Sequence, residues 1–84
     1  MMNYLEELKA KLIEKISIQK ITLIDNSHLH KKHKSYDPKR YHIKLIIQSK
    51  QLQKLSKIES HKIIFSVLAE DMKNKIHALE IIFE

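Results

Sequence analysis

Apolar residues recur at helical spacing from the start of the chain. Leu5, Leu8, Leu12 and Ile16 stand three or four apart, with Ile13 widening the stripe, which predicts an amphipathic helix over 2–17. Glu7 and Lys11 lie four apart in the order that supports a helix. The β-branched run KITLID predicts a strand over 20–25, and YHIKLIIQS alternates around Ile43, Leu45 and Ile47, predicting a second over 41–49. Between them, residues 26–40 show no periodicity and hold the only proline, Pro38, so they read as a long loop joining a hairpin.

SKQLQKLS (49–56) reads as a short helical turn. Ser56 and Glu59 then have the Ser-x-x-Glu form of a capping box, which starts a helix running to about Lys73. Ile58, Phe65, Leu68 and Met72 form its apolar stripe, with Ile64 beside them, and Asp71 and Lys75 match a four-residue charge pair. The last strand covers roughly 76–83. The order α-β-β-α-α-β predicts an α+β sandwich, one three-stranded sheet with helices packed on one face, forming a single domain over 1–84.

A chain of 84 residues builds one modest core with little room for an enclosed catalytic cavity. Apolar residues at 43% and charged residues at 31% indicate a folded rather than a disordered chain. No apolar run approaches the length of a membrane span, and the N-terminus lacks the pattern of a signal peptide. The absence of cysteine removes disulfides, thiol catalysis and thiolate ligands, and fits a cytoplasmic setting. A net charge of +6 attracts polyanions loosely, but of 16 basic residues only Arg40 is an arginine, the better fork for phosphate and guanine. With no glycine at all, neither a phosphate-cradling loop nor a GxxG loop can form.

The chemistry-bearing residues are the six histidines. His28, His30 and His33 cluster in the long loop as H-x-H-x-x-H among three lysines, open to metal binding or to a plain solvated loop. His42 opens the second strand and alternates with inward Ile43, so it is expected to face solvent. His61 falls on the helix stripe between Ile58 and Phe65 and reads as a hydrogen-bonded residue at the core edge. His77 shares its parity with Leu79, Ile81 and Phe83, which places it toward the core face at the strand's end; structural and ligand roles are equally open. No nucleophile–base pair or carboxylate dyad emerges, so the chain is not expected to be an enzyme.

Four stretches in order, DNSHLHKKH, HIKLIIQS, LQKLSKIESHKIIFSVLAEDM and IHALEI, resemble the BolA family. They match its D-x-S-H-x-H loop entrance, its H-F-x-V-x-I-V-S strand, its F-x-G-L-S-x-V-x-R-H-R-x-V-Y-x-x-L-x-E helix and its V-H-A-L strand. The resemblance implies a KH-like (class II) fold. It also implies partnership with a monothiol glutaredoxin, in which a BolA subunit helps ligate a bridging [2Fe-2S] cluster completed by the glutaredoxin's cysteine and bound glutathione.

On that resemblance His77 matches the ligand histidine of V-H-A-L. The second ligand, a loop His or Cys in the family, becomes His30, with His33 the alternate. The resemblance also implies, as the alternative, a DNA-binding regulator of transcription and stress morphology acting through a basic KH-like surface, which would here fall to Lys54, Lys57 and Lys62. It is weakened because Ser60 and Lys62 stand where the family has Arg, and Leu52 and Lys54 where it has Phe and Gly. The free chain is expected to be a monomer, in the cytoplasm or, in a eukaryote, an organelle matrix.

Overall fold

A computed structural model describes residues 3–26 and 40–84. The loop histidines His28, His30 and His33 lie outside the described residues. Helix α1 spans Tyr4–Lys15, opened by the Asn3 side chain accepting from the Glu6 N–H at 2.8 Å. Strands β1 (Lys20–Asp25) and β2 (Tyr41–Gln48) pair antiparallel. A one-turn helix α2 (Lys50–Gln53), then α3 (Lys57–Val67) and α4 (Ala69–Asn74), lead to β3 (Ile76–Phe83), which lies parallel to β2. The sheet order is β1-β2-β3. This is the α+β arrangement that the periodicities predict.

The core forms where one face of the sheet meets the helices. Leu8, Leu12 and Ile16 come from α1, Ile43, Leu45 and Ile47 from β2, and Ile64 and Leu68 from α3 and its end. Fully burying such a side chain is worth about 1.5–3 kcal/mol. The opposite face carries Thr22, Lys44 and Glu80, as strand alternation requires.

The expected long helix is broken. At Leu68 the backbone turns to φ −100° and ψ 18°, dividing α3 from α4. The capping prediction holds, since the Ser56 side chain accepts from the Glu59 N–H at 3.1 Å. The stripe holds at Ile64, Leu68 and Met72 but fails at Ile58. Ile58 is 69% exposed, while Ser60 is buried. Ser60 is tolerated inside because its Oγ donates to the Leu52 carbonyl at 3.0 Å, which tethers α2 to α3 and rotates Ile58 outward. Ser60→Ala is expected to cost about 1 kcal/mol, read as a lower midpoint in urea unfolding with an unchanged slope.

Candidate metal centre

The parallel pairing of β2 with β3 slips at its first rung. Tyr41 faces Ile76, but His42 faces Ala78, leaving His77 as an extra residue on β3. This is a β-bulge, which re-aims side chains where it occurs. Ile76 is buried and Leu79 packs against the core, so two residues rather than one separate successive inward positions. Both His77 and Ala78 therefore fall outside the core and are exposed. The expectation that His77 shares the core face with Leu79 is corrected here, because strict alternation fails across the bulge.

His42 is corrected in the other direction. It is 7% exposed, not solvent-facing. Its ring packs against that of His77, with centroids 5.0 Å apart and planes inclined by 43°. The backbone around it is fixed, since the Asn26 N–H donates to the His42 carbonyl at 2.7 Å. A shallow depression of about 190 Å³ opens beside it between Asn26, Ala78 and Glu80. One buried and one exposed imidazole thus share a corner of the sheet, next to Asn26, where the undescribed connection begins.

Behind this corner a polar cluster ties three elements together. Asp71 on α4, 8% exposed, accepts from the Tyr4 hydroxyl at 2.7 Å and from Lys11 Nζ at 2.6 Å, both on α1. Its expected partner Lys75 instead lies over the Tyr4 ring, 4.9 Å from the centroid. Burial pulls the Asp71 carboxyl upward, but the hydrogen bonds from Lys11 and Tyr4, with the charges of Lys11 and Lys75, outweigh it and hold the group below its ordinary range. Burial, then the hydrogen bond to and the charge of Asp71, push the Tyr4 phenol well up. Tyr4 stacks on Tyr41 at 4.8 Å, and the Tyr41 N–H donates to the Lys75 carbonyl at 2.8 Å. Tyr41 and Lys75 directly precede His42 and the Ile76–His77 bulge, so the cluster sets the backbone that presents both rings.

His61 stands apart from this site. Its ring lies 5.5 Å from that of Phe83 and 6.2 Å from that of Phe65. Its buried Nε2 has no hydrogen-bond partner among the described residues, so the expected core-edge position holds and the expected hydrogen bond does not. Lys54, Lys57 and Lys62 are exposed on α2–α3. Among the described residues no three His, Cys, Asp or Glu side chains converge as a metal cage, and no helix is long and apolar enough to cross a membrane.

The family model described as BolA-like protein matches residues 12–83. The chain belongs to the BolA family. It is similar to protein BU473 of Buchnera aphidicola, 37% identical over 76 residues that cover 89% of this chain and 69% of that one. It is also similar to the UV-induced protein uvi31 of Schizosaccharomyces pombe, 26% identical over 80 residues, 90% of this chain and 78% of that one. The BolA domain of SufE1 from Arabidopsis thaliana superposes with a TM-score of 0.82 at 25% identity, covering 100% of this chain and 94% of that domain.

His42 is the residue that sequence reasoning underweighted. Ile76 and Leu79 are apolar residues three apart with His77-Ala78 between them, and that break in a period of two was the available sign of a bulge.

Proposed function

We propose that this BolA-family chain is a non-enzymatic partner of a monothiol glutaredoxin and shares a bridging [2Fe-2S] cluster with it, in iron–sulfur trafficking or redox-linked regulation. The observation that carries this reading is exposed His77, lifted out of the core by the bulge and packed on His42. The donor set fits such a group. The described residues bring the His42 and His77 imidazoles together at one corner, and imidazole is a nitrogen donor that such a cluster accepts. His77 supplies one nitrogen and His30 of the connecting segment the other, with His33 the alternate, while His42 fixes the His77 ring. Imidazole ligation lowers the cluster's net negative charge and raises its potential.

Affinity purification of the full chain from its own cells tests the pairing. A monothiol glutaredoxin is expected to co-purify in a brown complex. Its absence from purifications of both wild type and a crosslinked sample counts against the reading.

Exposed Lys54, Lys57 and Lys62 favour a second reading, nucleic-acid binding. A complex held only by charge would dissolve steeply with salt and show no preferred sequence.

A further inference from the structure

The end of β3 remote from His77 carries another exposed feature. Phe83 lies six residues beyond His77, about 20 Å along the strand. There Ile58 is the most exposed large apolar side chain among the described residues. Ile58, His61 and Phe65 stand at positions i, i+3 and i+7 of α3 and line a groove of about 370 Å³ with Lys57 and Lys62. A second hollow of about 440 Å³ adjoins it, formed by Leu52, Leu55 and Phe83 and sharing Lys57. His61 is wedged between Phe65 and Phe83, so its ring acts as an apolar wall.

The charge around this groove has one dominant sign. Residues 50–67 hold Lys50, Lys54, Lys57 and Lys62 against Glu59 alone. We propose that the groove along α3 docks an amphipathic helix of a partner protein whose apolar stripe is flanked by acidic residues. Two turns of α3 line the groove with Ile58, His61 and Phe65, a surface long enough for the apolar anchors of a docked helix to pack on, and the lysine rim complements acids beside that helix's stripe. Binding to the phosphate backbone of duplex DNA would use the lysines and leave Ile58 uncovered. A second copy of this chain in a two-fold contact would set the same lysines against each other. The docking does not depend on the histidine corner, so one chain can hold a partner at each end of its sheet.

The probe is a synthetic peptide of about five helical turns, with leucines on one face and glutamates flanking them. It is titrated into the full-length ¹⁵N-labelled chain and followed by amide shifts and fluorescence anisotropy. Shifts are expected at Ile58, His61, Lys62 and Phe65. Ile58→Glu should weaken binding about tenfold or more, as should a scrambled peptide of equal charge. Lys62→Glu should weaken it less, and His77→Ala not at all. Ile58 is exposed, so circular dichroism should show the variant folded. The proposal is overturned if the scrambled peptide binds as well or if no shifts appear. It also fails if random duplex DNA moves the same amides with Ile58-dependent affinity, or if sedimentation shows a dimer that Ile58→Glu dissociates.

Discussion

His77→Ala is expected to abolish the change in visible absorption and circular dichroism that we predict when the wild-type chain meets a cluster-loaded monothiol glutaredoxin. The spectrum should match that of the glutaredoxin alone. Stability should change by less than about 0.5 kcal/mol, because the side chain is exposed and outside the core. This separates loss of a ligand from loss of the fold. His30→Ala should behave like His77→Ala, and His33→Ala like wild type. His42→Ala should still form the species but with altered dichroism, since it removes the ring that orients His77 rather than a ligand. Wild-type spectra from His77→Ala and His30→Ala together would remove the basis for the shared cluster.

Asp71→Ala is expected to destabilise the fold more than Ser60→Ala does. It leaves the Tyr4 hydroxyl and Lys11 without their acceptor, at a cost of about 2 kcal/mol, which lowers the melting temperature by roughly 10 °C. Asp71→Asn keeps an acceptor for Tyr4 but not the charge, so its loss should be smaller. The pH dependence has a definite sign. The Asp71 carboxyl is held down in the folded chain, so its contribution is full above its ordinary value near 3.8 and disappears as pH falls through the folded-state value. The Tyr4 phenol is pushed up, so its contribution is full below its ordinary value near 10 and fades as pH rises beyond it. Thermal melts should therefore show wild type losing stability at both extremes, with the acid limb flattened in Asp71→Ala. Equal slopes in the two proteins would remove Asp71 from this role.

Much of the fold was legible because its signals are local. β1 spans the residues that KITLID marked, and Ser56 caps α3 as its spacing with Glu59 foretold. What was hidden depends on tertiary partners. Ser60 is inside only because the Leu52 carbonyl waits for its hydroxyl, and no helical wheel contains that bond. Lys11 and Lys75 leave their neighbours in sequence because Asp71 and Tyr4 meet across the molecule. The site was half legible. His77 drew notice through its motif, but its direction follows from a bulge between strands far apart in sequence, and the same slip sets His42 beside it. The proposed second ligand, His30, lies outside the described residues.

The proposed shared cluster requires nitrogen from this chain to reach iron. Pulsed EPR of the reduced complex, with the chain but not the glutaredoxin carrying ¹⁵N-histidine, measures that directly. Two strongly coupled ¹⁵N nuclei are predicted for wild type and none for His77→Ala, which should form no shared cluster. A spectrum with no strong ¹⁵N coupling in the wild-type complex would contradict it.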